Sequence, residues 1–431
     1  MMFVHTRFSA AAIVGALTVV LVPWCANLSA VEPARETPIT LAAALARALA
    51  ANPDLAVAAR GVEAADGQVM QARARPNPQL AFQLQDTRAD SRTTSVLLNQ
   101  TLELGGERSA RMAEAGSARD VAGAQLAARQ VEVQARVTAN FFALLIAQQN
   151  LSLAQQTLTL AAEASSAASK RVRAGKAAPL EASKAAVAEA NARAALARSQ
   201  NARASARQAL AATWGEPDAE VGEAVGDSAV LPPLPSRAEL DRRVDAAPSL
   251  RAAEAEIARR EALLDFERAR STPDVTLSVG VQRDEDLGLT QAVVGFAVPL
   301  PLFDRNRGNQ FTAAARTAAA RDDQLALRNR LRSETYAARE RLAAARSEAQ
   351  AMTNEVLPGA RLVYGTALTG FRLGKFSFLD VLDAQRTLFD AQSRQVEAMA
   401  AAHQAVADIQ SLIGSADMPA AALEPTAEDI R

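Results

Sequence analysis

The chain repeats itself, and the repeat limits what it can fold into. Around Gly175 the sequence reads Arg173-Ala-Gly175-Lys176-Ala-Ala-Pro179-Leu180-Glu181. Around Gly374 it reads Arg372-Leu-Gly374-Lys375-Phe376-Ser-Phe-Leu379-Asp380. Gly175 matches Gly374, Lys176 matches Lys375, Leu180 matches Leu379 and Glu181 matches Asp380, all at one offset. In both places a helical pattern runs into the glycine and a new one starts after it. Glycine accepts the positive φ that ends a helix without a Cβ clash. Arg372 lies in the last turn, where a cation suits the negative end of the helix dipole. Ser377-Phe-Leu-Asp380 reads as a capping box, and Pro179 stands at a first helical position. Each stretch is therefore a tight helix–turn–helix.

The rest of the chain repeats on the same plan. Pro248-Ser-Leu250 matches Pro53-Asp-Leu55, and Pro273 matches Pro78. From Thr40 to about Arg75 the pattern is helical, interrupted at Asn52-Pro53. Gln79 to Asp86 alternates, with Leu80, Phe82 and Leu84 on one face, which is strand periodicity. Thr94 to Leu102 alternates less cleanly, broken by Leu97 and Gln100. Glu107 to Ala174 is one long helical run, with Val137, Phe141, Leu144, Leu151 and Leu158 at coiled-coil-like spacing. Leu180 to Thr213 is a shorter helix closed by Trp214-Gly215. The second half gives strands over Asp274–Val281 and Gln291–Val298, a long helix over Arg305–Leu373, and a short one over Phe378–Ile413 closed by Gly414. The expected organisation is a leader at 1–30, a first repeat at 31–215, a linker at 216–236, a second repeat at 237–414 and a tail at 415–431. Two short helices end to end match one long helix, so the short ones are expected to stack beside the long ones.

Each half supplies two strands of roughly nine residues with one apolar face, the length and pattern of a transmembrane β-strand. Four strands cannot close a barrel, and an open sheet edge cannot sit in lipid, where unpaired amides cost several kcal/mol each. The chain is thus expected to share its strands with copies of itself, for instance three, around a pore. The same alternation also suits soluble hairpins capping a helical bundle; the leader and the duplication favour the membrane.

The leader follows from Arg7, the apolar run Ala10–Val22 and small residues ending at Ala30. Cys25 is the only cysteine, and its loss with the leader leaves no thiol. An exported chain without a disulfide suits the periplasm or outer membrane of a Gram-negative cell. Acids and bases are nearly balanced, 48 against 47, and interspersed, which argues against a nucleic-acid surface. Abundant alanine and only 4% aromatic residues point to long, closely packed helices. Nothing reads as catalytic, and no cofactor is implied. A zinc site wants three or four His, Cys or carboxylate ligands. Past the leader there is one histidine, His403, read as an ordinary helix residue, so any metal that passes does so through water. A periplasmic coiled-coil adaptor is a rival reading, but it would lack membrane strands.

The architecture, and the stretch Gly374-Lys-Phe-Ser-Phe-Leu-Asp-Val-Leu-Asp-Ala-Gln-Arg-Thr-Leu388, resemble the TolC family of outer-membrane efflux proteins. Leu102-Glu-Leu-Gly-Gly-Glu-Arg108, Ala212-Thr-Trp-Gly215 and Pro273 through Asn309 resemble the outer-membrane component of cobalt–zinc–cadmium cation efflux systems. The resemblance covers essentially the whole chain past the leader. It implies a mostly α fold with a small membrane β-barrel portion: a homotrimer with four strands per protomer, a barrel in the outer membrane and an α-helical tunnel through the periplasm. It implies a periplasmic adaptor protein and an inner-membrane pump of the resistance-nodulation-division class as partners, with outer-membrane lipid around the barrel. The substrate it implies is a divalent heavy-metal cation; a duct for drugs or for type I protein secretion is the alternative. By the same resemblance, Arg173, Gly175, Lys176, Arg372, Gly374 and Lys375 form tips that dock the adaptor. Asp380 and Asp383, three apart and on one helix face, match paired aspartates that ring the periplasmic mouth. A Tyr and an Arg that tie that mouth shut in well-known members are replaced here by Phe371 and Phe376, so apolar packing is expected to take their place.

Overall fold

The computed structural model describes residues 38–415 apart from 87, 218 and 219. The leader with Cys25 and the tail from 416 lie outside the described residues. Helices α1 (Leu41–Ala51) and α2 (Pro53–Arg73) meet at Asn52. Strands β1 (Gln79–Gln85) and β2 (Thr93–Leu102) follow, then α3 (Glu107–Arg173) and α4 (Pro179–Ala212). The second half runs through α5 (Arg237–Asp245), α6 (Pro248–Ala269), β3 (Val275–Asp284), β4 (Leu289–Ala297) and α7 (Arg307–Ala351). A π turn (Met352–Val356), α8 (Leu357–Arg372) and α9 (Phe378–Ile413) complete it.

The break at Asn52 has a local cause. Its side chain accepts the Leu55 amide as an N-cap, while Pro53 takes the first helical position. The Asn52 amide group also donates to the Thr213 carbonyl, pinning the start of α2 to the end of α4. Gly215, at φ +83°, lies so close to Pro53 that a Cβ there would be 2.9 Å from the ring. The second half repeats the joint. α5, capped by Ser236, is the counterpart of α1; Pro248 opens α6; and Gly414, at φ +81°, packs near Pro248. So α4 leads into α2 and α9 into α6, and these stacked helices pack along α3 and α7. At about 1.5 Å per residue, the 67-residue α3 is roughly 100 Å long.

Each half has its own core beside its joint. In the first, Trp214, Phe141, Val137, Leu144 and Leu210 are fully buried, joined by Ile39 and Val221. In the second, Leu240, Val244, Leu331, Leu342 and Ile409 play the same part. Toward the Gly175 turn the buried apolar residues of α3 and α4 shrink to Ala154, Ala161, Ala168, Ala185 and Ala192, which lets the helices approach closely. The 216–236 segment packs onto the first core: the Ile39 amide donates to Glu223 and its carbonyl accepts from Val225, both at 2.9 Å.

The long helix expected over Arg305–Leu373 is not a single α-helix. Its buried line follows a three–four rhythm through Leu331, Thr335, Ala338, Leu342, Ala345 and Ala349, then resumes at Leu357 and Ala360. The step from Ala349 to Leu357 is one residue longer than a heptad. The π turn at Met352–Val356 absorbs that extra residue, just before Pro358, whose ring cannot take part in a regular α-helical ladder.

The strands form one antiparallel sheet in the order β1-β2-β3-β4, so β2 and β3 join the two halves. The register lines up Leu80, Leu98, Val279 and Val294 in one row and Phe82, Val96, Val281 and Ala292 in another. These rows share a face, and its large side chains are exposed, Phe296 to 79% and Leu80 to 74%. Leu97, which breaks the alternation, pairs with Gly280 on the opposite face and fills the space that glycine leaves. Gln100 lies at the end of the apolar face and donates to the Pro76 carbonyl. No single helix among the described residues is long and apolar enough to cross a membrane; α1 and α2 pass such a test only together, bent by 42°.

The strand-to-helix crossing after β2 is held by charge. Arg111 donates to both Glu103 carboxylate oxygens and to the carbonyls of Ala72 and Ala74 at the end of α2. Only 7% of the Glu103 side chain is exposed. Arg111→Met leaves that carboxylate buried and unpaired, and the expected loss is about 3 kcal/mol. Thermal unfolding of the purified variant checks it; a midpoint equal to the parent's refutes it.

Candidate functional site

The two glycine turns are built identically. After α3, the Gly175 amide donates to Val172 and the Lys176 amide to Arg171. After α8, the Gly374 amide donates to Phe371 and the Lys375 amide to Gly370. Both are Schellman motifs, with the glycine left-handed at φ +68° and +71°. Arg173 and Arg372 lie in the preceding last turns, and Lys176 and Lys375 follow the glycines. All six expected tip residues, Arg173, Gly175, Lys176, Arg372, Gly374 and Lys375, are exposed. No described atom of another element lies within 4 Å of where a Cβ on either glycine would stand.

The entries to the next helices differ. Ser377 caps α9: its hydroxyl oxygen accepts the Asp380 amide at 3.2 Å, and its own amide donates to Asp380 Oδ2 at 2.7 Å. The Ser377 hydroxyl also donates to Asp380 at 2.8 Å. These donors hold the Asp380 carboxyl below its ordinary range, the hydroxyl contributing most. The sign follows: its capping is fully present above the unfolded carboxylate's pKa and is lost as pH falls through the lower folded value. At the first turn Ala178 offers no side-chain cap, and the corresponding Glu181 has one buried oxygen without a hydrogen-bond partner among the described residues.

Asp383 is exposed one turn along α9 and makes no side-chain hydrogen bond or ion pair among the described residues. Of the two aspartates, then, Asp380 is committed to the cap and Asp383 carries the freer charge. Phe371 and Phe376 are both placed by contacts within the protomer. The Phe376 ring lies against Gly370, with Cγ 2.9 Å from where a Cβ would stand, so a larger residue there would displace the ring. Phe371 packs 5.7 Å from Phe378, and the Arg171 guanidinium lies 4.8 Å above the Phe371 ring. That contact joins the two turns, because Arg171 lies in the last turn of α3 and Phe371 in the last turn of α8. Sequence reasoning missed Arg171 and Gly370; each lies four residues before its turn glycine, which is the one local signal they share.

His403 is buried and stacked on Phe142, with ring centroids 3.9 Å apart. Its Nε2 is 3.1 Å from the Ser228 carbonyl, so the ring donates there. Burial holds its pKa below the ordinary histidine value. The described residues contain no group of three or more His, Cys, Asp or Glu that could hold a metal.

Comparison with known proteins adds to this geometry. The family described as outer membrane efflux protein matches residues 44–216 and 241–415, one match to each half. The chain is 41% identical over 377 residues to the cobalt-zinc-cadmium resistance protein CzcC of Cupriavidus metallidurans, covering 88% of this chain and 90% of that one. It is 32% identical over 294 residues to the nickel and cobalt resistance protein CnrC of the same species, covering 64% and 67%. In fold it resembles a membrane protein from Pseudomonas aeruginosa, with a TM-score of 0.76 at 22% identity over 87% of this chain and 92% of that one. It also resembles CusC, with a TM-score of 0.73 at 20% identity over 87% and 92%.

Proposed function

The chain belongs to the outer membrane efflux protein family, and from that premise we propose that it is the passive exit duct of a tripartite system for divalent heavy-metal cations. The sheet carries the reading. It presents an apolar outer face and leaves β1 and β4 as unpaired edges. In the outer membrane those edges need partners. Three copies, each contributing four strands, close them into one barrel. The exposed Schellman tips at the far ends of α3 and α8 are the surfaces offered to a periplasmic adaptor and, through it, an inner-membrane pump. The choice of cation follows relatives named for resistance to cobalt, zinc, cadmium and nickel.

A strain lacking the gene is expected to become sensitive to zinc, cobalt or cadmium while its antibiotic tolerance stays unchanged. Sensitivity to antibiotics alone would refute the cation reading. Purified in mild detergent, the protein is expected to be a trimer that forms pores in planar bilayers.

At the mouth, the carboxylates of Asp380 and Asp383, two from each copy, form a ring that concentrates cations and repels anions. Asp380→Asn with Asp383→Asn is expected to lower cation selectivity and block by multivalent cations, with trimer stability nearly unchanged. Most of the change is expected from Asp383, because the Asp380 carboxylate is engaged by Ser377. The check is single-channel recording at low salt, where screening is weak. Selectivity equal to the parent's removes both residues from the pore.

A further inference from the structure

Each of the four crossings between helix and sheet carries two arginines: Arg73 and Arg75 before β1, Arg108 and Arg111 after β2, Arg268 and Arg270 before β3, Arg305 and Arg307 after β4. Hydrogen bonds and ion pairs tie the crossings into one belt. Arg108 donates to the Arg73 carbonyl, Arg270 lies 4.0 Å from Glu107, and the Asn306 side chain donates to Glu267. Arg108 and Arg111 point inward onto the end of α2. The guanidinium groups of Arg73, Arg75 and Arg307 are different: they are exposed and make no hydrogen bond or ion pair among the described residues.

The opposite rim of the sheet lacks this pattern. Its described residues include Arg88, Arg92 and Arg283, and each of these is paired, Arg88 with Asp86 and the other two with Glu285. Asp90, Asp284 and Asp286 add further negative charge there. The sheet is therefore polarised: among the described residues, its unpaired cations lie only at the rim where the helices begin. That belt borders the apolar outer face, and beside it Leu300, Leu302 and Phe303 are exposed, Phe303 completely. Apolar side chains next to free arginines are the arrangement found at a membrane–water interface, where guanidinium groups reach phosphate oxygens while their stems stay on apolar surface.

We propose that Arg73, Arg75 and Arg307 bind the phosphodiester headgroups of anionic phospholipid in the membrane leaflet facing the periplasm. This rests on the outer-membrane reading above and adds to it a lipid class and the residues that select it. The planar guanidinium suits two phosphate oxygens at once. Continuity with the apolar face places the three arginines at headgroup depth, and charge favours an anionic head over a zwitterionic one by on the order of fivefold per arginine.

The test mixes the detergent-purified trimer with equal amounts of phosphatidylglycerol and phosphatidylcholine and counts each lipid retained by native mass spectrometry. The parent is expected to retain phosphatidylglycerol preferentially. R73Q/R75Q/R307Q is expected to lose at least about tenfold of that preference, and the triple lysine variant to keep most of it. All three side chains are exposed, so the variants are expected to remain trimers that conduct. No preference in the parent, or an equal preference in the glutamine variant, overturns the proposal. So does displacement of the lipid by millimolar inorganic phosphate, which would make the site one for free phosphate. A parent that forms no pore overturns the channel reading as well, whereas a conducting parent without the preference overturns the arginine site alone.

Discussion

Gly280→Val is expected to remove the assembled protein from the outer membrane. Gly280 lies in the middle of β3, opposite Leu97 of β2. A Cβ there would lie well inside contact distance of the Val96 carbonyl oxygen and 2.8 Å from the Leu97 Cα. The obstacle is backbone, so no rotamer change relieves it. β2 and β3 must part, and theirs is the pairing that joins the two halves of the chain. Amides opened within lipid cost several kcal/mol each, which is enough to prevent insertion. Gly295→Val is the control. Gly295 lies on the same face of β4, and the nearest atom to its added Cβ is 3.9 Å away, so that variant is expected to assemble. Membrane fractionation with trimer detection checks both. Parent levels of Gly280→Val trimer would refute the close approach of the strands.

Gly374→Val is expected to abolish metal resistance while leaving the trimer intact. The surroundings are open, so the local cost is only that of a β-branched residue at φ +71°, about 1–2 kcal/mol. Helices α8 and α9 survive that loss, but the turn between them does not keep its shape, and the turn is the surface proposed to meet an adaptor. Gly374→Asn separates the two effects, because asparagine tolerates the left-handed conformation. It is expected to keep resistance near the parent's. Growth on zinc, cobalt and cadmium, with trimer levels measured alongside, is the check. If Gly374→Val is expressed, trimeric and fully resistant, the tip assignment is wrong.

The parts of the fold that are legible in the sequence are those set by local chemistry. The two turns can be read because a Schellman motif requires a positive φ, and glycine is the residue that supplies it. The Ser377–Asp380 cap can be read because both partners lie within one turn. The π turn cannot, because alanine and leucine continue on both sides of Pro358 and only the neighbouring helices show that the buried line has slipped by one residue. Leu97 breaks the alternation of β2 for a reason that lies in the other half of the chain, at Gly280. The contact of Ile39 with Glu223 and Val225 is hidden in the same way: distant pairing leaves no periodic trace. For Asp380 and Asp383 the sequence shows a shared helix face, and the structure adds the division of labour, since the Ser377 donors are directed at Asp380.

The slipped residue at Met352–Val356 also has a mechanical consequence. A regular α-helix behaves as a torsion rod: a twist applied at one end arrives at the other with its phase kept. The inserted residue changes that phase by about 100°, so α8 keeps its seam against α9 only because the joint absorbs the offset. Above the joint, α7 is fixed by the second core; below it, α8 ends in the exposed tip. A torque delivered at Gly374 must therefore cross the joint, and its change of phase, before it reaches the second core and the sheet beyond it.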